Sequence, residues 1–164
     1  MKNRTEKKWS KNDNWETPNY ILNYIKKEFF DNRDFFDPCP LSKKIWDEYI
    51  LEFDWLNIEW EDRNFVNPPY NITDKPKFVK KAYEEYLKWR ISVLLIPATT
   101  ETKWFHEFLV PYAWIFFIKW RIKFKWYNSK NEYVTNKSWQ SGSILCILDP
   151  RYKAFMTDLD FDKI

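Results

Sequence analysis

The chain has 164 residues, about the length of one ordinary domain, and 45% hydrophobic against 31% charged residues is a globular composition that argues against wholesale disorder. Lys+Arg 27 against Asp+Glu 24 gives a formal net charge of +3, and neither a membrane span of roughly 18 apolar residues nor a secretory signal is expected. Cys39 and Cys146 offer no disulfide framework and no zinc spacing, so we expect a reduced, cytoplasmic protein.

Glycine is nearly absent, since Gly142 is the single glycine of the chain. Phosphate-binding loops of the P-loop and dinucleotide types need several glycines, because their backbone approaches the phosphates where a Cβ would clash. The sequence therefore excludes P-loop NTPases, kinases and ordinary Rossmann dehydrogenases. Because His106 is the one histidine, the sequence also argues against a histidine-based metal site, and we expect no bound metal.

The first part of the chain predicts a basic, flexible arm over residues 1–14, followed by a single domain over residues 15–164. Thr17 suits a helix N-cap and Pro18 suits the first helical position. Apolar residues follow at helical spacing as far as Phe29, which predicts the first helix.

The rest of the chain alternates between strand and helix signals. Short strands are predicted over residues 34–37, 65–66, 92–96, 113–118 and 144–148, and helices over residues 75–90 and 101–110. On the solvent-exposed face of the helix over residues 75–90 we expect two i,i+4 ion pairs, Lys80 with Glu84 and Lys81 with Glu85. The alternation predicts an α/β sandwich with a mostly parallel sheet.

The motif Asn67-Pro68-Pro69-Tyr70 lies between a predicted strand and a predicted helix, at the carboxyl end of the strand, where α/β folds bind ligands. The two prolines fix two φ angles and remove two donors, which leaves rigid carbonyl acceptors beside the side-chain oxygen of Asn67. Tyr70 adds a flat face for stacking. Such a corner suits a planar group that bears an amine, and the alternative is a rigid connection that binds nothing.

The chemistry that needs such a corner is alkylation of an exocyclic amine. The N6 nitrogen of adenine is a poor nucleophile because its lone pair is delocalised into the ring. Hydrogen bonds from its two protons to Asn67 Oδ1 and to the Pro68 carbonyl favour a pyramidal nitrogen whose lone pair can attack a sulfonium methyl group. This prediction requires a slot for a nucleobase beside the corner, and a corner buried against the body of the protein would contradict it.

Several short, distinct segments follow one another along the chain and can be compared with known families. They are Asp13–Pro18, Phe36–Pro40, Asp54–Leu56, Phe65–Tyr70, Leu94–Thr99, Trp104–His106, Arg121–Phe124 and Ser141–Leu148. In sequence and order they are similar to segments of the phage-type, Dam-like DNA N6-adenine methyltransferases. The resemblance implies a class I S-adenosylmethionine-dependent methyltransferase fold, which is Rossmann-like, with a mostly parallel sheet of seven strands whose last strand is reversed. It also implies that Asn67, Pro68, Pro69 and Tyr70 are the catalytic residues.

The resemblance further implies S-adenosylmethionine as the cofactor. The residues that it assigns to cofactor binding are Trp15, Thr17, Pro18, Asp37, Pro38, Cys39 and Asp54. The element around Thr17 would contact the methionine part, and the loop that begins at Asp37 would be the first cofactor loop, although it lacks the glycines usual there. We expect Asp37 to pair with the cofactor ammonium, and Asp54 to accept from its ribose hydroxyls or its adenine amine.

Each of these residues can also have a purely structural role, without any ligand. Thr17 and Pro18 form a good helix start without any ligand, and Asp37 and Asp54 can be solvated acids. Cys39 follows a proline, as does the nucleophile of cytosine-C5 methyltransferases, but the Glu-Asn-Val context that this chemistry needs is absent. We therefore expect Cys39 to be a small apolar filler.

Residues 119–126 alternate strictly between cations and apolar residues, which predicts a half-buried antiparallel strand. The cations on its outer face are Lys119, Arg121, Lys123 and Lys125, and we expect them to contact DNA phosphates. The alternative is a solvated edge strand whose lysines prevent aggregation. The polar residues 127–141 that follow are the candidate loop for reading bases.

The leading hypothesis is methyl transfer from S-adenosylmethionine to N6 of adenine in DNA, by a monomer or weak dimer. Two alternatives remain open. The same chemistry could act on cytosine N4, on an RNA base or on a protein glutamine, or the chain could be an inactive DNA-binding module that has lost the cofactor. The resemblance implies a phage or other mobile origin and hence the host cytoplasm.

Overall fold

The computed structural model describes residues 15–39, 55–127, 133–138 and 141–163. The helices are α1 (Asn19–Phe29), α2 (Lys75–Tyr86) and α3 (Lys103–Phe108). The strands are β1 (Trp15–Glu16), β2 (Arg63–Val66), β3 (Ile91–Pro97), β4 (Trp114–Ile118), β5 (Lys123–Tyr127), β6 (Tyr133–Ser138), β7 (Ser143–Leu148) and β8 (Phe155–Leu159), and a 3-10 helix, Phe161–Lys163, follows. The predicted arm over residues 1–14, Asp54 and much of the predicted base-reading loop lie outside the described residues.

A five-stranded sheet of order β2-β3-β7-β4-β8 forms the centre of the fold. Four strands run in one direction, and β7 runs in the opposite direction between β3 and β4. The prediction of an α/β fold with a mostly parallel sheet is confirmed. The expected position of the reversed strand is wrong, because β8 follows β7 in the chain and lies parallel to β4.

The edge of this sheet beside β2 also differs from the prediction. Residues 34–37 do not form a strand of their own, and Phe36 makes one parallel bridge to Asn64. The described residues therefore give a central sheet of five strands, compared with the seven that the resemblance implies.

Strands β3 and β7 are buried on both faces, which explains their continuous apolar sequences. Val93 and Leu95 pack in the core that contains α1, whereas Leu94 and Ile96 pack in the core that contains α2 and α3. The sheet thus lies between two helical layers. No helix in the described ranges has the length and apolarity that a membrane span needs.

A second, antiparallel sheet has the order β1-β5-β6. The predicted alternation of burial is present in β5 and just before it, since Ile122 and Phe124 are buried while Arg121 and Lys123 are exposed. The antiparallel strand is confirmed from Lys123 onward. Residues 119–122 do not belong to it.

Two exposed tryptophans with left-handed backbone explain why two elements are shorter than predicted. Trp120 has a φ of 65° and separates β4 from β5. Trp89 has a φ of 66° and follows α2, which ends at Tyr86 instead of residue 90. A left-handed residue continues neither a right-handed helix nor an extended strand, so α2 ends before Trp89 and β5 begins only after Trp120.

The ion pairs of α2 differ in burial. Lys80 and Glu84 form an exposed pair, as predicted. The prediction that Lys81 and Glu85 are also on the solvent-exposed face is wrong, because Glu85 is 0% exposed and Lys81 is 8% exposed. The ammonium of Lys81 lies 2.6 Å from Glu85 and over the ring of Trp60, which covers this face of the helix.

We predict that Glu85→Ala lowers the free energy of unfolding by about 3–5 kcal/mol, because it leaves the buried ammonium of Lys81 without its counter-charge. The matched control is Glu84→Ala on the exposed face, for which about 0–1 kcal/mol is expected. Urea unfolding of the two variants measures the difference. Equal losses in the two variants would contradict the buried pair.

Candidate active site

The motif Asn67–Tyr70 directly follows β2 and therefore lies at the carboxyl end of that strand. The parallel bridge at Phe36, whose carbonyl accepts a 2.9 Å hydrogen bond from the N–H of Phe65, aligns the neighbouring chain with β2. The segment Asp37–Cys39 thus leaves the sheet at the same carboxyl end as the motif. The predicted catalytic corner and the predicted first cofactor loop therefore lie at the same end of the sheet.

Thr17 contacts the corner directly. Nδ2 of Asn67 donates a 3.1 Å hydrogen bond to Oγ1 of Thr17, and both side chains are buried. The predicted role of Thr17 as a side-chain N-cap is wrong, because α1 begins at Asn19 with Pro18 at the cap position and no side-chain cap bond. The hydroxyl of Thr17 instead orients the amide of Asn67, so that the amide oxygen points away from Thr17.

The corner is buried, contrary to the open slot that the sequence analysis required. Asn67 and Tyr70 are each 6% exposed, and Pro68 and Pro69 are buried as well. Phe124 of β5 lies edge-on to the ring of Tyr70, with 6.1 Å between the ring centroids. The apolar inner face of β5 joins the core on the α1 side, and the ring of Tyr70 belongs to that same core.

The environment of Tyr70 is apolar and closed to solvent. Burial raises the pKa of the Tyr70 hydroxyl above its ordinary value, and the phenol, which is neutral at physiological pH in any case, stays neutral. Its ring is in T-shaped contact with Phe124 and presents no flat face to solvent.

Asp37 and Cys39 form a tight turn at the end of the Phe36 bridge. Oδ1 of Asp37 accepts a 2.7 Å hydrogen bond from the backbone N–H of Cys39, and this Asx turn bends the chain without glycine. Burial raises the pKa of Asp37 to about 7, although the Cys39 N–H opposes the rise. Burial and, secondarily, the charge of Asp37 raise the pKa of the Cys39 thiol, which agrees with a filler and not a nucleophile.

The charge of Asp37 indicates what the turn can bind. No Lys or Arg within the described ranges forms an ion pair with this carboxylate. A partly buried carboxylate without a protein counter-charge suits a cationic ligand. S-adenosylmethionine carries an ammonium and a sulfonium, so the donor set at this turn fits that cofactor.

The remaining predicted cofactor residues that the structure describes lie in three different elements. Pro38 is buried within the turn, and the backbone of Trp15 belongs to β1, where it pairs with Trp126 of β5. Pro18 is buried beside Thr17, and its carbonyl accepts the first hydrogen bond of α1 from Ile21.

The four predicted DNA-binding cations do not form one continuous face. Lys119 pairs with Asp158 at 2.8 Å, a contact that raises the pKa of this lysine, and Lys125 pairs with Glu16 of β1 at 3.4 Å. Arg121 and Lys123 are exposed and make no ion pair with any residue that the structure describes.

Lys75, at the start of α2, was not among the residues predicted from the sequence. Its ammonium lies 3.3 Å from Thr99 Oγ1 and over the ring of Trp104, and it joins the segments that follow β2 and β3. Burial lowers the pKa of Lys75, although the charge of Glu101 opposes this. No local pattern indicated this contact, because its partners lie more than 20 residues away. In the described ranges, no cluster of three or more His, Cys, Asp or Glu could hold a metal ion.

A mixed α/β sheet with Asn-Pro-Pro-Tyr at the carboxyl end of a strand is compatible with a methyltransferase-like fold. A family model described as DNA N-6-adenine-methyltransferase (Dam) matches residues 4–159 of the 164-residue chain. The chain therefore belongs to the Dam family, and the family predicted from the sequence is confirmed. Neither a curated protein nor a solved structure matches the chain significantly.

We predict that the free energy of unfolding of the protein falls, relative to that of the Asp37→Asn variant, as pH rises from about 4 to about 7. The folded carboxyl keeps its proton to a pKa of about 7, whereas the unfolded one releases it near 3.8, so the folded state binds more protons in this window. Asn keeps the acceptor for the Cys39 N–H and has no charge.

Urea unfolding at pH 5 and pH 8 measures this difference. The gap in unfolding free energy between the variant and the parent protein should widen by more than about 1 kcal/mol from the lower to the higher pH. The same pH dependence in both proteins would contradict a carboxyl whose pKa is raised by burial at this position.

Proposed function

We propose that this protein transfers a methyl group from S-adenosylmethionine to N6 of adenine in DNA, on a class I methyltransferase fold. The observation that carries the proposal is the rigid corner Asn67–Tyr70 at the carboxyl end of β2, where a buried hydrogen bond from Thr17 orients the amide. Membership of the Dam family supports adenine and DNA as the substrate.

The catalytic role of Asn67 follows from the orientation of its amide. Because Nδ2 donates to Thr17, the oxygen is directed to the other side, where we propose that it accepts one proton of the adenine amine. The Pro68 carbonyl, which belongs to a segment with two missing N–H donors, accepts the other proton. Two fixed acceptors favour a pyramidal nitrogen, and they need not reorganise during the reaction.

S-adenosylmethionine supplies an electrophilic methyl group when it is bound. The Asp37 carboxylate would hold its ammonium, and the buried segments around Thr17 and Pro38 would shape the rest of the site. Asp54 remains our proposed partner of the ribose or the adenine amine. No residue of the chain has to act as a general base before methylation, because the amine loses its proton only after it has been alkylated.

The buried corner imposes a condition on this function. We propose that Phe124 moves off the ring of Tyr70 before an adenine stacks there, because the two rings are in contact and Tyr70 is 6% exposed. Phe124 belongs to β5, which begins at the exposed Lys123, two residues after the exposed Arg121. DNA that binds these two cations would therefore contact the strand that carries Phe124. Extrusion of a base from a duplex costs a few kcal/mol, which DNA contacts must also supply.

The burial of the corner also favours a second candidate function, an inactive DNA-binding module. Incubation of unmethylated DNA with S-adenosylmethionine, followed by nucleoside mass spectrometry, separates the two. We expect N6-methyladenine as the product. Methylcytosine as the only product would contradict the adenine assignment, and DNA binding without product or cofactor binding would support the inactive module.

Variants at Asn67 test the acceptor role in the same assay. Asn67→Ala should lower kcat by at least about 100-fold, because the acceptor is lost, with little change in cofactor affinity. Asn67→Asp is the matched control, since it keeps an oxygen acceptor and should retain more activity than the alanine variant. Activity of Asn67→Ala within about tenfold of the parent enzyme would contradict the proposed role.

We predict that Thr17→Val lowers kcat by about 10- to 100-fold, because the isosteric side chain no longer holds the amide of Asn67. Thr17→Ser keeps the hydroxyl and should restore most of the activity. Cofactor affinity, measured by calorimetric titration, distinguishes this role from the one implied by the family resemblance. A weaker affinity for S-adenosylmethionine at unchanged kcat would assign Thr17 to cofactor binding instead.

A further inference from the structure

A cleft of about 420 Å³ lies on the surface between α1, the β4–β5 connection and the 3-10 helix that follows β8. Its walls are Tyr20 of α1, residues 118–123, and Phe161 and Asp162 of the 3-10 helix. Lys123 and Phe124 are neighbours on β5 and point to opposite faces of the strand, Lys123 into the cleft and Phe124 towards Tyr70. The cleft is therefore distinct from the corner at Asn67–Tyr70.

Two aromatic side chains of this cleft are exposed. Trp120 is 73% exposed and Tyr20 is 52% exposed, so neither contributes its full area to a core. Trp120 also has a left-handed φ of 65°, a backbone conformation that costs energy for a bulky residue. Trp89 shares this exposure and this backbone conformation. Trp120 differs from it because its ring lines a cleft together with cations and a second exposed aromatic ring, which indicates a ligand.

The charges of the cleft specify the kind of ligand. Lys119, Arg121 and Lys123 line it together with one carboxylate, Asp162. Lys119 is largely neutralised by Asp158, whereas Arg121 and Lys123 have no ion-pair partner in the part of the chain that the structure describes. Unpaired cations beside exposed aromatic rings suit a ligand that combines a flat ring with phosphates.

We propose that this cleft holds one unstacked nucleotide of the substrate DNA strand, outside the catalytic corner. Its base stacks on Trp120 beside Tyr20, and its flanking phosphates contact Arg121 and Lys123. The proposal rests on the proposed function in one respect, because it takes DNA as the substrate. It goes beyond phosphate contact, since an aromatic ring must meet a base that has left the duplex stack.

The test compares two variants that match in geometry. Trp120→Gly removes the ring and relieves the left-handed backbone, so the protein should remain folded with an unchanged or slightly higher Tm. Trp89→Gly is the control, because Trp89 is 75% exposed with a φ of 66° and follows α2 away from the cleft. Trp120→Phe, which keeps an aromatic ring, provides a second variant.

The probes are two labelled single strands with the same number of phosphates, a thymidine 12-mer and a 12-mer of abasic sites. Binding of each strand is measured by fluorescence anisotropy. We expect Trp120→Gly to bind the thymidine strand at least about tenfold more weakly than the parent protein, and to bind the abasic strand equally well. Trp89→Gly should match the parent on both strands. Trp120→Phe should retain most of the base-dependent affinity.

Four results would overturn the proposal. Three concern the variants: equal binding by Trp120→Gly and the parent protein, equal losses on both strands, and equal losses in both glycine variants. Binding of thymidine monophosphate alone as tightly as the 12-mer would also overturn it, because the cleft would then be a site for a free nucleotide.

The phosphate contacts have their own readout. Arg121→Gln combined with Lys123→Gln should make the salt dependence of 12-mer binding shallower by about 1 to 2 in the log–log slope, and an unchanged slope would place the phosphates elsewhere. Methyl transfer by the parent protein is measured separately. If the parent protein methylates adenine while Trp120→Gly binds the thymidine strand as tightly as the parent, this inference fails and the proposed function stands. If the parent protein does not methylate adenine while Trp120→Gly loses base-dependent binding, the proposed function fails and this inference stands.

Discussion

The hydrogen bond between Asn67 and Thr17 is the interaction on which the candidate site depends. It joins two buried polar side chains that lie 50 residues apart, and a buried amide is costly unless its polar groups are paired. Thr17 directly follows β1, and β1 pairs with β5, so the bond ties the end of β2 to the three-stranded sheet. The pairing of β1 with β5 therefore positions both Thr17, which orients the amide of Asn67, and Phe124, which contacts Tyr70.

The neighbouring turn has a different physical character. Asp37 holds a charge that the described protein does not neutralise, and this charge disfavours the folded state at neutral pH. The buried carboxylate of Glu85, by contrast, is compensated by Lys81 and Arg90. The contrast between these two carboxylates supports a ligand-binding role for Asp37, since functional sites often retain features that lower stability.

Local patterns predicted the parts of the fold that depend on local forces. The apolar runs of β3 and β7 indicated strands buried on both faces, and the two prolines after Asn67 indicated a rigid corner. The left-handed Trp120 had no such signal, because a bulky residue rarely adopts this backbone conformation and its residue type does not predict it. The burial of Tyr70 was likewise missed, since it depends on Phe124, which lies 54 positions further along the chain.

Strand β5 presents Phe124 on its inner side and Lys123 on its outer side, and these adjacent residues share one peptide bond. A polyanion that attaches to the outer side would therefore act on the residue next to the aromatic contact. Under the proposed function, part of the energy of nucleic-acid binding would be used to separate Phe124 from Tyr70. Higher ionic strength should then lower turnover as well as affinity.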